Sequence, residues 1–262
     1  MQQQTFALIT GASKGIGKVI AFELAARGYN LALVARSEDL LEQVSLEIKV
    51  LYSGVQIHHF ATDLSLPAAA EAVWVWCDRN KLPVSILVNN AGFGLSGSFE
   101  SYPLEQHINM LQVNCIVPVE LTYLFLPHLK QHSQAYILNI ASSAAYQAVP
   151  YLSLYAASKA LVLSFSRGLR YELQKTSVNV TCVSPGSTNT EFNVRAQVGP
   201  RAMKTAQKVF MTPEQVGKLA VKAMFNKKAE VITGTINKIG GFLTWLLPKK
   251  VVERSTARLY ET

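Results

Sequence analysis

The amino-acid sequence predicts one α/β domain: a doubly wound, seven-stranded parallel sheet with helices on both faces. Three observations predict it. The chain has 262 residues, 49% of them hydrophobic, enough for one sizeable core. Apolar runs of strand length alternate with helical patterns along the chain, as in parallel strands joined by crossover helices. No repeat, low-complexity tract or linker divides it, so residues 1–262 read as a single unit.

Each element follows from local pattern. "FALIT" reads as the first strand; Ile16, Val19, Ile20 and Leu24 then recur at helical spacing, and Gly28 stops the helix. "LALVA" is the second strand, and Ser37 can cap a helix whose apolar face is Leu41, Val44, Ile48 and Leu51. "VQIHHF" is the third, followed by a helix over about residues 68–79, and "SILV" is the fourth. A long helical region covers about residues 104–128. "AYILNI" is the fifth strand, with a helix over about residues 155–174 behind it, and "VNVTCV" is the sixth. Thr212, Pro213 and Gln215 set up a helix start with a capping box, and "EVIT" is the seventh strand.

Composition bounds the function. The net charge is +8, but the basic residues are dispersed and do not interleave with aromatics. Nucleic acid is therefore not an expected partner, whereas anionic small molecules are. Cys77, Cys115 and Cys182 lie outside any disulfide or metal spacing and read as buried thiols in a reducing compartment. The histidines form no zinc pattern, so no metal is expected; His58 and His59 read as strand and surface residues. The start "MQQQTFALIT" has no secretory pattern. No uncharged apolar run reaches the roughly 18 residues of a membrane helix, and "CIVPVELTYLFLP" is interrupted by Glu120 and two prolines. The expectation is a cytoplasmic protein without a transmembrane segment.

The first strand runs directly into "TGASKGIG", with Thr10, Gly11, Gly15 and Gly17 in one turn before a helix. Glycines allow a sharp turn and close approach of a phosphate, and the helix offers the positive end of its dipole. A dinucleotide is the expected ligand. A carboxylate at the end of the second strand would bind ribose hydroxyls and repel an added phosphate. This chain has Ala35 and Arg36 there, no acid until Glu38, and Lys14 in the glycine loop. That pattern selects NADP(H); for both cations the plain alternative is a solvated surface charge.

Two tyrosine–lysine pairs have the spacing that shares a helix face: Tyr155 with Lys159, and Tyr171 with Lys175. Parallel sheets bind ligands beyond the carboxyl ends of their strands. Tyr155 begins the helix after the fifth strand, at that edge, while Tyr171 lies about 24 Å further along the helix. Each has a serine thirteen residues upstream, but Ser142 follows the fifth strand and Ser158 lies inside the helix. Tyr171 and Lys175 are the bystanders.

These residues resemble the short-chain dehydrogenase/reductase family. Its T-G-x-x-x-G-x-G matches Thr10 to Gly17, its N-N-A-G matches Asn89, Asn90, Ala91 and Gly92, its Y-x-x-x-K matches Tyr155 and Lys159, and its P-G matches Pro185 and Gly186. The likeness covers roughly residues 5–234, in family order. It implies a Rossmann-type domain and a catalytic set of Ser142, Tyr155, Lys159 and Asn114, the asparagine supporting a water relay to the lysine. Ser143 competes for the serine role, and family spacing favours Ser142. The implied cofactor contacts are Gly11, Ser13, Lys14, Gly15, Ile16, Gly17, Arg36, Asp63, Leu64, Asn90, Ala91, Gly92, Tyr155, Lys159, Pro185, Gly186, Thr188 and Thr190. Asp63 stands where the family's acid contacts adenine or nearby backbone.

Hydride transfer to a carbonyl builds charge on oxygen, which a proton must meet. A lysine charge about 5 Å from a tyrosine is expected to lower its pKa by roughly two units. Ser142 can hydrogen-bond the substrate oxygen. The expected function is an NADP(H)-dependent interconversion of a carbonyl and a secondary alcohol. The alternatives are a catalytically silent NADP(H)-sensing regulator, against which the complete residue set argues, and a sugar-nucleotide epimerase or dehydratase, whose glycine spacing is absent. Residues 187–212 lack a strand pattern and read as a lid. It offers Phe192, Val194, Val198, Met203, Val209, Phe210 and Met211 as apolar contacts, and Arg195, Arg201, Lys204 and Lys208 as cations. These features suit an elongated apolar substrate with an anionic handle, such as a 3-oxoacyl thioester. An extension over about residues 235–262 carries a faint likeness to the ketoacyl-CoA and steroid reductase branch. It puts the family's common tetramer in doubt; a homodimer or homotetramer is expected.

Overall fold

The structure, a computed structural model, describes residues 5–192, 196–207 and 209–261. Its strands are β1 (Phe6–Thr10), β2 (Asn30–Ala35), β3 (Ile57–Ala61), β4 (Val84–Asn89), β5 (Ala135–Ile140), β6 (Val178–Ser184) and β7 (Glu230–Ile232). They form one sheet in the order β3-β2-β1-β4-β5-β6-β7. Every pairing is parallel: Leu8 of β1 faces Ala32 on one side and Leu87 on the other. The central strands are buried on both faces, and that is why they read as continuous apolar runs rather than alternating ones.

Alternate residues serve opposite helical layers. Ala7 and Ile9 pack with Ile20 and Leu24 of α1 (Gly15–Ala25), Leu41 and Ile48 of α2 (Glu38–Leu51), and later Met224. Phe6 and Leu8 pack with Val73 and Cys77 of α3 (Ala69–Arg79) and with Leu121 and Phe125 further on. Those last two lie on a continuous helix made of α4 (Leu104–Leu111), a π turn (Gln112–Ile116) and α5 (Val117–Leu129). Leu104–Leu129 is long and apolar enough to cross a membrane by length and composition, but half of its most apolar window is buried inside the domain.

The next helix is α6 (Ser153–Glu172); then come α7 (Pro200–Gln207), α8 (Pro213–Phe225), α9 (Thr235–Leu246) and α10 (Lys249–Tyr260). Thr212 and Gln215 form the expected capping box at α8, whereas Ser37 at the start of α2 makes no side-chain capping bond. The third strand begins at Ile57 because Val55 still belongs to the turn, its N–H donating to Tyr52 O. Lys175 falls beyond the end of α6, so it does not share a helix with the exposed Tyr171. The three cysteines are buried and free.

Candidate active site

The sheet's order reverses at β1, whose neighbours β2 and β4 lead the chain in opposite directions. The crevice beyond the carboxyl ends of β1 and β4 is where such sheets take ligands. Gly11 and Gly15 turn there at φ values of +66° and +55°. A Cβ at Gly17 would meet Gly11 O at 2.2 Å and Asn90 Nδ2 at 2.4 Å, so only glycine fits. The N-cap of α1, Lys14, makes no side-chain capping bond and no acid occupies the first turn, so the helix keeps its positive end available to an anion. The loop is fastened by the asparagine motif. Asn90 Nδ2 donates to Thr10 O (2.9 Å) and Gly11 O (3.1 Å), while Thr10 Oγ1 accepts from the N–H groups of Asn90 and Ala91. This cradle fits a diphosphate.

The other sequence-predicted contacts surround it. Ser13 is half-buried on the loop, while Ile16 turns its side chain into the core under α1. Arg36 is exposed at the end of β2. Lys14 is paired with Glu191 at 2.8 Å, a partner from the lid that the sequence reading did not identify. Asp63 accepts from Ser65 N and Oγ, and Leu64 is buried beside it. Pro185 O accepts from Ser143 N at 2.7 Å. Gly186 lies under Asn237 of α9: a Cβ there would fall 1.9 Å from Asn237 Nδ2. Thr188 Oγ1 donates to Gly186 O, and Thr190 Cγ2 stands 3.3 Å from where a Gly15 Cβ would be.

Ser142 follows β5 and caps the short 3-10 turn Ser143–Tyr146, accepting from Ala144 N. Its hydroxyl stands near enough to the Tyr155 side chain, in the first turn of α6, to oppose the rise of that tyrosine's pKa. One turn on, Lys159 Nζ lies 5.9 Å from the Tyr155 ring centre and donates to Ile140 O at 3.0 Å. A Cβ on Gly92 would sit 3.0 Å from Asn114 Oδ1 and 3.2 Å from Lys159 Nζ, so lysine and asparagine converge on the glycine of the asparagine motif. Asn114 stands in the π turn, and such turns recur at functional sites. Its carboxamide is held at both ends: Nδ2 donates to Phe93 O and Ser158 Oγ, and Oδ1 accepts from Phe93 N.

The electrostatics correct one expectation. The lysine was expected to lower the Tyr155 pKa, but burial dominates and pushes it up to about 12, with Ser142 opposing and Tyr260 reinforcing the rise. Burial also pulls the Lys159 ammonium down to about 8. Over Tyr155 lies an apolar roof. The Phe192 ring lies 5.3 Å from that of Tyr155, and Tyr260 of α10 joins the same apolar cluster with Met110, Val149 and Leu152. Tyr260 carries no sequence signal that would place it here. Lid residues Val194, Arg195 and Lys208 lie outside the described residues. Arg201 of α7 donates to Arg258 O of α10. A cavity of about 660 Å³ lies between the segment 145–150, α6, α9 and α10.

The fold and this edge of the sheet define a nicotinamide-dependent oxidoreductase. The chain belongs to the short chain dehydrogenase family, whose pattern matches residues 5–199. It is 34% identical over 241 residues to a ketoacyl reductase, HetN, of Nostoc sp., covering 92% of this chain and 82% of that one. It is 30% identical over 254 residues to a very-long-chain 3-oxoacyl-CoA reductase of Pyrenophora tritici-repentis, covering 96% and 73%. Among solved structures, a 7beta-hydroxysteroid dehydrogenase superposes with a TM-score of 0.86 at 25% identity, over 97% of this chain and 96% of that one. A short-chain dehydrogenase from Sphingobium yanoikuyae in complex with NADPH gives 0.80 at 28% identity, over 92% and 94%.

Proposed function

We propose that the chain is an NADP(H)-dependent reductase that interconverts a ketone and a secondary alcohol, with a 3-oxoacyl thioester as the substrate class. The observation that carries this reading is the convergence of Ser142, Tyr155 and Lys159 beside the glycine cradle. NADP(H), when bound, supplies or accepts the hydride. Tyr155 delivers the proton to the substrate oxygen. A phenol with a pKa near 12 keeps its proton at neutral pH and yields it to a base as strong as an alkoxide. Ser142 hydrogen-bonds that oxygen, and the Lys159 ammonium stabilises the tyrosinate left behind. Asn114 is a positioning residue, fixing the backbone of Phe93 and the helix at Ser158.

The NADP(H) preference is supported by Arg36 at the end of β2 and by Lys14. Its ion pair with Glu191 is exposed and worth no more than about 1 kcal/mol, so a phosphate can displace it. The apolar roof of Phe192 and Tyr260, together with the ketoacyl reductases among the relatives, supports a long apolar substrate. Phe192 beside the Tyr155 ring supports reading residues 187–212 as a lid, which should gain hydrogen-exchange protection with NADPH and a 3-oxoacyl-CoA bound. Exposed Ile108, Ile116, Val119 and Tyr123 on the Leu104–Leu129 helix support a homo-oligomer.

The test is NADPH oxidation by the purified chain with 3-oxoacyl-CoA substrates of increasing length, against short aldehydes. Rates that rise with chain length support the reading. Turnover of short aldehydes alone removes the acyl substrate, and equal use of NADH removes the cofactor preference.

A further inference from the structure

Helix α9 is amphipathic in the reverse sense. A surface helix ordinarily buries its bulky apolar stripe and shows polar residues to water. The face of α9 against the domain is small and polar. Asn237 rests on Gly186 and donates to Thr233 O at 2.8 Å, and a Cβ on Gly241 would lie 3.0 Å from Ile232. The opposite face carries Ile236, Ile239, Phe242, Leu243, Trp245 and Leu246, each 40–81% exposed. At about 100° per residue these six cover roughly half the circumference. The rings of Phe242 and Trp245 stand 6.2 Å apart, and no residue of α9 or α10 is buried.

Charge selects the occupant. The sequence has no acidic residue between Glu230 and Glu253, while Lys238, beside Phe242 and Trp245 on the helical wheel of α9, and Lys249 and Lys250, just after it at the start of α10, are all exposed. An apolar arc with an aromatic pair, accompanied by lysines and by no acid, matches a helix lying in a bilayer interface. Its lysines would meet anionic headgroups. A second copy of the chain, docked face to face, would instead bring unneutralised lysines together, with no acid of this segment to pair them.

We propose that α9 seats in the headgroup region of an anionic phospholipid bilayer and holds the enzyme at the membrane surface. This does not depend on which substrate the catalytic site takes. Vesicle flotation of the full chain tests it, using phosphatidylcholine vesicles with and without phosphatidylglycerol. The chain should float with the anionic vesicles. The Trp245 emission should shift to the blue and be quenched by brominated acyl chains, and a Trp245→Phe variant should lose that response. The double variant Phe242→Ser/Trp245→Ser should lower partitioning by about a hundredfold or more. Lys238→Glu/Lys250→Glu should lower it about thirtyfold or more on anionic vesicles only. Both variants should bind NADPH as the wild type does. The proposal is overturned if the wild-type chain stays in the aqueous fraction at every phosphatidylglycerol content. It is equally overturned if bromolipid leaves the tryptophan emission unquenched, or if Phe242→Ser/Trp245→Ser reduces the oligomer's mass while vesicles bind neither form.

Discussion

Lys159 should destabilise the protein it serves. Its ammonium is buried and its pKa falls from 10.5 to about 8. Each unit is worth about 1.4 kcal/mol. The unfolded chain therefore holds this proton more tightly than the folded one. At about pH 7 both forms are protonated, and the folded state carries the whole penalty of about 3 kcal/mol. As pH rises above about 8 the folded chain gives up the proton first, and the penalty shrinks to about 1 kcal/mol by about pH 10. Lys159→Met keeps the length of the side chain and removes the charge. It also forfeits the bond to Ile140 O, worth about 1 kcal/mol. The variant should gain about 2 kcal/mol of unfolding free energy near pH 7 and almost none near pH 10, while losing reductase activity. Urea unfolding of the cofactor-free protein, followed by circular dichroism at both pH values and one ionic strength, measures this. A variant less stable than wild type near neutrality, or a difference that does not change with pH, would refute the view that the charge is buried at a cost.

Three further outcomes follow from the same geometry. Tyr155→Phe should cut reduction by orders of magnitude with NADPH affinity nearly intact, whereas Tyr171→Phe, on an exposed part of α6, should change neither; steady-state kinetics and NADPH fluorescence titration read both, and similar losses in the two variants would contradict the assignment. Arg36→Asp should raise the KM for NADPH relative to that for NADH by about ten- to a hundredfold, the worth of one charge-assisted phosphate contact; an unchanged ratio removes Arg36 from cofactor choice. Gly17→Ala forces a methyl to within 2.2 Å of Gly11 O, so calorimetry should show NADPH affinity down at least about tenfold and the melting temperature lowered; normal affinity would mean that the loop opens without consequence.

What could be read in advance was what depends on local pattern or on chain order. The sheet was legible because strands covered on both faces need unbroken apolar runs, and β5, "AYILNI", occupies those very residues. The placement of Tyr155, rather than the exposed Tyr171, at the carboxyl edge followed from its position at the start of the helix behind β5. The pairing of Lys14 with Glu191 was not legible, because the partners are 177 positions apart and both exposed, with no periodicity to announce them. The dominance of burial at Tyr155 was missed for a related reason. The lysine is local, one turn away, but the roof comes from Phe192 and from Tyr260 at the far end of the chain.

The roof bears on the tyrosine of the catalytic pair. Burial displaces the proton affinities of both Tyr155 and Lys159, and at Tyr155 the burying surface includes Phe192 and the α10 residue Tyr260. An open site would rehydrate both groups, returning the phenol toward 10 and the ammonium toward 10.5, the values from which burial displaces them. Under the proposed lid, closure over substrate would couple its capture to the protonation chemistry: with water excluded, the proton on Tyr155 has no acceptor but the developing alkoxide. The helix after β7 joins this arrangement through Asn237, which lies on Gly186, so α9 touches the turn after β6 while its other face points outward. A surface that takes hold of α9 is one residue's contact away from the loop that leads into the lid.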